Sequence, residues 1–177
     1  MGLAALSDQR AFVELVRRYE AQVRTLCACL TGNEAIAAEL AQDTFLEVWN
    51  ARERYRPEGR FKELLYMVAR NRCRSHARKK WWRQWLPFDE TPEDSLPTHA
   101  SPDELRAGQE RDALVRQALS KLPEKFRLPL TLRYVDELDY AAIARIIERT
   151  ESAARSRVMY GLQALAALLP PEVADGL

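Results

Sequence analysis

The chain has 177 residues, of which 47% are hydrophobic and 30% are charged, and its formal net charge is +1. These proportions are typical of a soluble folded protein with one ordinary domain or two small ones. No apolar run reaches the roughly 18 residues of a membrane-spanning helix, and the first residues lack the basic and apolar parts of a secretion signal. Three cysteines, an odd number, exclude a disulfide framework and suit a reducing cytoplasm.

Charge is distributed unevenly along the chain. Residues 52–85 carry 12 basic and 3 acidic side chains, a local charge of +9, whereas residues 86–112 carry 2 basic and 8 acidic ones, or −6. Such asymmetry is typical of a protein that binds an anionic partner through one segment and has an acidic linker beside it.

The first half of the chain shows helical periodicity and no β-alternation. Apolar residues at steps of three and four predict a first helix that Ser7 caps and Gly32 stops. Asn33 is a good cap for a second helix, from residue 34 to about residue 52. The segment RPEG, residues 56–59, then breaks the pattern because Pro lacks an N–H and Gly favours turns.

A third helix is predicted from residue 60 to the early 80s, and residues 60–80 read RFKELLYMVARNRCRSHARKK. Its first half has an apolar stripe, whereas its second half crowds six cations into a little over three turns. Like charges at i,i+4, such as Arg70–Arg74 and Arg74–Arg78, repel by about 0.2–0.5 kcal/mol per pair. A polyanion would convert this repulsion into binding energy. The alternative is an ordinary solvated face.

The second half begins with a linker and continues with helices. Residues 86–104 are rich in Pro and acidic residues and predict an extended, self-repelling segment. Further helices are predicted to begin near Pro102 and at Pro123, and Pro129 should kink or shorten the second of these. The last two helices are predicted over residues 140–147 and 151–169. The pair Pro170-Pro171 is expected to end the fold.

The last two helices resemble a helix-turn-helix. Asp139 and Thr150 are suitable caps for them, and small or branched apolar residues between residues 141 and 158 allow two short helices to cross closely. The second helix would present short polar and basic side chains outward from its N-terminal half, as reading of the major groove requires.

At this point the chain resembles the extracytoplasmic-function (ECF, group IV) sigma factors of bacterial RNA polymerase. The motifs that carry the resemblance are AAELAQDTFLEVWNA, FKELLYMVARNRCRSHAR, the TGN turn at residues 31–33, LSKLPEKFRLPLTLRYVDELDYAAIA and TESAARSRV. The resemblance implies an all-α chain of two small helical domains. Residues 1–85 would form sigma region 2, residues 86–104 a linker, and residues 105–177 sigma region 4.

The resemblance assigns two surfaces to region 2. One docks on the clamp helices of the polymerase's largest subunit, through Gln42, Asp43, Phe45, Glu47 and Trp49; burial in the core is an equal alternative for the two aromatic residues. The other opens the −10 element and holds an extruded base at Asn71. Its candidate residues are Arg60, Arg70, Asn71, Arg72, Arg74, Arg78 and Lys79, with Tyr55 or Phe61 as stacking partners, although Phe61 fits the core better.

Region 4 would read the −35 element. The candidate residues are Thr150, Glu151, Ser152, Arg155, Ser156 and Arg157. Leu162, Leu165 and Leu168 would contact the polymerase flap tip or pack within the domain. Several features depart from the family pattern. Glu148 stands where the turn often has Gly, so we expect a less favourable backbone there or a longer helix. The chain continues with MYGLQAL where the family often has a basic run, Leu64 stands where many relatives have Trp, and no clear counterpart exists for Trp81, Trp82 and Trp85.

The resemblance implies three partners: core RNA polymerase, promoter DNA and an anti-sigma factor. We expect a cytoplasmic protein without membrane insertion, held at the membrane where its anti-sigma factor is membrane-bound. We find no constellation for catalysis, metal binding or a cofactor. The alternatives are a helix-turn-helix regulator that binds duplex DNA without polymerase, and a helical scaffold without a role on DNA.

Overall fold

The computed structural model describes residues 9–54, 60–85 and 106–174, and within these ranges it contains helices and turns but no strand. The α-helices are α1 (Gln9–Thr31), α2 (Glu34–Asn50), α3 (Phe61–Trp85), α4 (Arg106–Lys121), α5 (Glu124–Tyr134), α6 (Tyr140–Ile147), α7 (Glu151–Ala166) and α8 (Pro171–Ala174). The chain divides into two compact units, Met1–Ser95 and Leu96–Leu177. The prediction of an all-α chain with two helical domains is confirmed. The predicted linker and Ser7, Tyr55 and Pro102 lie outside the described residues.

The first unit is a bundle in which α1, α2 and α3 each contact the other two. Val23 and Leu26 of α1 and Leu65 and Tyr66 of α3 have no exposed surface. Burial of an apolar side chain of this size contributes about 1.5–3 kcal/mol. The apolar first half of α3 therefore fixes the position of its basic second half.

The turn between α1 and α2 follows the sequence signals. Gly32 adopts a φ of +69°, which a residue with a side chain rarely takes up. The Asn33 side-chain oxygen accepts a hydrogen bond from the Ile36 N–H at 3.0 Å. The predicted stop and cap are confirmed, and α2 ends at Asn50, two residues before its expected end.

The second unit packs α5 and α6 against α7, with α4 also touching α7. Leu130 of α5 and Val158 and Leu165 of α7 are at most 4% exposed. Helices α5 and α7 approach closely at Gly161, where an added Cβ would lie 3.0 Å from Leu130 Cδ1 and the leucine side chain would have to shift. Helix α5 is 11 residues long and contains the buried Pro129 in its interior.

The helix-turn-helix has a cap at the start of each helix and a left-handed residue in its turn. The Asp139 carboxylate accepts the Ala142 N–H at 2.6 Å, and the Thr150 hydroxyl accepts the Ala153 N–H at 3.2 Å. Glu148 adopts a φ of 56°, a conformation that Gly takes up without steric cost. The predicted caps are confirmed, and of the two outcomes expected at Glu148, a less favourable backbone or a longer helix, the structure shows the first.

The end of the chain corrects one prediction. Helix α7 ends at Ala166, and Pro170-Pro171 does not end the fold, because Pro171 begins the short helix α8. A proline is well suited to the first position of a helix, where its N–H is not needed. Val173 and Ala174 of α8 pack against the core of the second unit.

Candidate nucleic-acid interface

The exposed face of α3 carries four of the seven side chains predicted to contact the −10 element. Asn71, Arg74, Arg78 and Lys79 are exposed. Positions 71, 74 and 78 recur at steps of three and four residues, so they lie on one face of the helix. This face combines one amide, which can both donate to and accept from a base edge, with guanidinium groups.

The other three predicted residues do not join this face. Arg70 is 5% exposed and lies inside the first unit. Arg72 is directed towards α2, where its Nε donates to Glu47 Oε2 at 2.5 Å. Arg60 precedes α3 and lies 11 positions before Asn71, a distance of roughly 17 Å along the helix axis at 1.5 Å per residue.

The candidate docking residues of α2 divide between surface and core. Gln42 is exposed, Asp43 is half-buried, and Glu47 is exposed and paired with Arg72. Phe45 is 6% exposed, which places it in the core, whereas the next residue, Leu46, is 58% exposed. Sequence reasoning missed Leu46, although its position one step beyond the apolar stripe turns it about 100° away from Phe45.

Trp49 has an intermediate position at the end of α2. Its ring centroid lies 4.8 Å from that of Phe12 in α1. The Arg52 guanidinium carbon lies 4.4 Å from the Trp49 ring centroid, and Arg52 Nη1 donates to the Trp49 carbonyl at 2.9 Å. These contacts hold Trp49 as part of the bundle. Phe61 likewise packs within the unit, 5.7 Å from the Tyr19 ring.

Helix α7 presents part of its predicted reading set to solvent. Glu151, Ser152 and Arg155 are exposed, whereas Ser156 and Arg157 are half-buried. Thr150 is exposed, but its hydroxyl serves as the cap of α7. The exposed reading surface therefore lies along the first turn and a half of the helix, near the positive end of its dipole, which favours phosphate groups.

Arg155 is held by two neighbours. Its Nη2 donates to Glu151 Oε1 at 3.0 Å, and its guanidinium carbon lies 4.7 Å from the ring centroid of Tyr140. Sequence reasoning missed Tyr140, which it treated only as the start of a helix. An aromatic residue directly after the Asp139 cap was the available signal.

The three leucines considered for the flap tip differ in exposure. Leu165 is 4% exposed and belongs to the core, Leu162 packs against that core, and Leu168 is 45% exposed. Of the three, Leu168 has the most surface available to a partner.

Two cysteines meet inside the first unit. A hydrogen bond from the Cys73 side chain lowers the pKa of the Cys27 thiol, whereas burial acts in the opposite direction. Among the residues that the structure describes, no three His, Cys, Asp or Glu side chains are grouped as metal ligands would be. Within the same ranges, no helix has the length and apolar character needed to cross a membrane. The side chains of Trp81, Trp82 and Trp85 lie outside the described part.

Comparison with known proteins assigns both units. Residues 15–83 match the family described as Sigma-70 region 2, and residues 112–165 match Sigma-70, region 4. The chain is 29% identical to the RNA polymerase sigma-H factor of Pseudomonas aeruginosa over 172 residues, covering 93% of this chain and 89% of that protein. It is 26% identical to the ECF RNA polymerase sigma factor SigW of Bacillus subtilis over 165 residues, covering 89% and 88%.

A solved structure shares the fold. CnrH, in a structure of its complex with the cytosolic domain of CnrY, aligns with a TM-score of 0.70 and 22% identity, covering 93% of this chain and 92% of CnrH. The two matched regions occur in the order that the sequence motifs predicted. The chain therefore belongs to the sigma-70 family, as an ECF-type RNA polymerase sigma factor.

Proposed function

We propose that this chain is an alternative sigma factor that binds core RNA polymerase, recognises −35 and −10 promoter elements, and melts the −10 region. The observation that carries the proposal is the pairing of two exposed polar faces on separate helical units. One is the face of Asn71, Arg74 and Arg78 on α3, and the other is the face of Ser152 and Arg155 on α7. The role is that of a DNA-binding regulator and involves no catalysis by this chain.

The α3 face is suited to single-stranded promoter DNA. Extrusion of a base from the stack costs a few kcal/mol, which contacts to the phosphates must offset. Arg74, Arg78 and Lys79 supply these contacts, and Asn71 reads the extruded base by its edge. Arg70 is left out of this surface because it is buried, and Arg60 contacts DNA only where the strand extends towards the start of α3.

The α7 face is suited to the major groove of the −35 element. Arg155 has the planar fork that can bind a guanine through two hydrogen bonds, and Ser152 can contact either base edges or phosphates. Glu151 accepts from a cytosine amino group when it is released from Arg155. The remaining predicted residues mainly contact phosphates and so fix the position of the helix on the duplex; they are Thr150, Ser156 and Arg157.

The exposed face of α2 is the proposed docking surface for the clamp helices. It contains Gln42, Asp43, Leu46 and Glu47, with Leu46 as the apolar centre and the acidic groups at its rim. Glu47 also pairs with Arg72 of α3, so this ion pair joins the docking helix to the helix that carries the DNA surface. In the second unit, Leu168 is the proposed contact for the flap tip.

An anti-sigma protein is a further proposed partner. The support is a structure of the sigma factor RpoE from Bartonella quintana in complex with the anti-sigma factor NepR, because RpoE shares the fold of this chain with a TM-score of 0.69. Because core polymerase and promoter DNA are cytoplasmic, we place this chain in the cytoplasm, held at the membrane where its anti-sigma partner is membrane-bound.

The test is transcription in vitro with purified core RNA polymerase and a library of promoter fragments. We expect specific initiation only when this chain is added, with selected templates sharing two elements at fixed spacing. Absence of specific initiation with an active core enzyme would refute the proposal.

The same preparation tests the alternative of a polymerase-independent regulator. That function requires tight binding to duplex DNA by the chain alone. The sigma function predicts weak binding until core enzyme is present, so a gel-shift titration with and without core distinguishes the two. A helical scaffold, the third alternative, would show neither activity.

A further inference from the structure

Two arginine side chains of the second unit converge on one aromatic ring. Tyr140 is the first residue of α6, and its ring centroid lies 4.7 Å from the guanidinium carbon of Arg155 on α7. The guanidinium carbon of Arg133, near the end of α5, lies 5.2 Å from the same centroid. Both distances fall within the range of about 6 Å in which a cation is attracted to an aromatic ring.

The Tyr140 ring is fixed independently of Arg155. The preceding residue, Asp139, caps α6 through its 2.6 Å hydrogen bond from the Ala142 N–H, which sets the backbone at the helix start. Tyr140 is partly buried and packs against the core of the second unit. Arg133 donates from Nη1 to the Leu138 carbonyl at 3.0 Å, so it is tied to the same loop. The ring is therefore a preformed platform.

Arg155 is the exposed guanidinium of the reading surface, with 63% of its side chain accessible. A long side chain of this kind ordinarily samples many rotamers, and ordering it on binding costs affinity. The Tyr140 ring and the Glu151 carboxylate, 3.0 Å from Nη2, restrict that freedom before DNA arrives. Arg149, in the adjacent turn, is instead bonded at 2.8 Å to the Glu148 carbonyl.

We propose that Tyr140 is a positioning residue that presents the Arg155 guanidinium to the −35 element in one orientation, and thereby contributes to base preference. The inference rests on the proposed reading of that element by α7. Tyr140 needs no contact with DNA in this role. It acts through Arg155, and the hydroxyl group is not required, because stacking uses the face of the ring.

The test compares ring-keeping and ring-removing variants of the full chain with core RNA polymerase. Tyr140→Phe keeps the ring, Tyr140→Leu keeps apolar volume without it, and Tyr134→Leu removes an exposed ring from the same unit as a matched control. Each variant transcribes a promoter library randomised in the −35 element, and the abundance of each base among the transcripts gives its preference.

We expect Tyr140→Phe and Tyr134→Leu to match the parent chain. Tyr140→Leu should reduce −35-dependent initiation about 2- to 5-fold, as loss of an exposed cation–π contact implies. It should also flatten the preference at the base that Arg155→Ala affects. In an Arg155→Ala background, Tyr140→Leu should have no further effect, since a positioning residue acts only through the residue that it positions.

Three results would overturn the inference: unchanged base preference in Tyr140→Leu, equal losses in the Phe and Leu variants, or additive effects of Tyr140→Leu and Arg155→Ala. Thermal unfolding followed by circular dichroism checks that each variant folds. If the Leu variant does not fold, Tyr140→Met, whose flexible side chain fills irregular space, takes its place. Failure of the parent chain to initiate at all would refute the proposed function, so the two failures are distinguishable.

Discussion

Neighbouring arginines of α3 have opposite environments, although their chemistry is the same. Arg70 is 5% exposed, whereas Arg74, one turn later, is exposed. A buried guanidinium contributes to stability through packing of its stem and through its internal partners, while an exposed one can also contact phosphates. Substitution of these two residues should therefore change different properties.

We expect Arg74→Ala to weaken the binding of single-stranded −10 DNA by the polymerase complex. The slope of log affinity against log salt should become shallower by about 0.7, the value for one phosphate contact on a single strand. The unfolding free energy should change by less than about 0.5 kcal/mol, as is usual for surface sites. Fluorescence anisotropy across a salt series and urea unfolding measure the two quantities.

Arg70→Ala is the matched comparison. Loss of a buried side chain that has internal partners should lower the unfolding free energy by about 1–3 kcal/mol. The salt slope should remain that of the parent chain. If Arg70→Ala instead made the salt dependence of DNA affinity shallower and left the unfolding free energy unchanged, Arg70 would have to contact DNA.

The backbone conformation of Glu148 lowers the stability of the fold. It occupies the turn between α6 and α7 with a φ of 56°, in the left-handed region. Glu148→Gly should raise the unfolding free energy by about 0.5–1 kcal/mol, because Gly adopts this conformation without steric penalty. Gln163→Gly, on the exposed side of α7, is the control and should lower it by about 1 kcal/mol. Urea titration compares the variants, and destabilisation by Glu148→Gly would contradict the expectation.

At the scale of elements, α2 and α3 are joined by the ion pair of Glu47 and Arg72. Both side chains are partly exposed, at 45% and 40%, so solvent screens the attraction. Such pairs contribute about 0.2–1 kcal/mol. The pair therefore contributes little to the unfolding free energy. It does, however, connect the proposed docking helix with the proposed DNA-binding helix.

An exchange of the two charges separates these roles. The double variant Glu47→Arg with Arg72→Glu should regain most of the small stability that either single variant loses, because the pair is restored in reverse. Its affinity for core polymerase should remain low, because the docking surface has lost one of its two acidic groups and gained a positive charge. Urea unfolding and a pull-down titration with core enzyme provide the measurements. Full recovery of polymerase binding would show that Glu47 serves only the pair.

At the scale of the whole molecule, the chain consists of two compact units. Each has its own buried core, around Leu26 and Tyr66 in the first unit and around Leu130 and Val158 in the second. Covalent connection would let two weak DNA contacts act together through effective concentration.

We expect residues 1–95 and 96–177, produced separately, each to show helical circular dichroism and cooperative unfolding. A mixture of the two should support initiation with core enzyme far less efficiently than the intact chain. The expected reduction in apparent affinity is about 10²- to 10⁴-fold, since linkage supplies the effective concentration. The fragment concentration that gives half-maximal transcription measures this. Equal activity of the mixture and the intact chain would show that linkage contributes nothing.

The class of fold and the ends of most helices can be predicted from the amino-acid sequence. Asn33, Asp139, Thr150 and Gly32 act on the backbone within a few residues of themselves, so their effects can be read locally. The same locality explains the error at Pro170-Pro171. A proline pair stops one helix and can begin another, and packing of Val173 against the core favours the second outcome.

Which side chains form the candidate sites depends on the tertiary structure. The burial of Arg70, the exposure of Leu46 and the direction of Arg72 towards Glu47 depend on how helices pack. The contact of Arg155 with Tyr140 joins residues 15 positions apart on different helices. Helical periodicity places residues on faces, but which face meets a neighbour is set by the packing of the whole core.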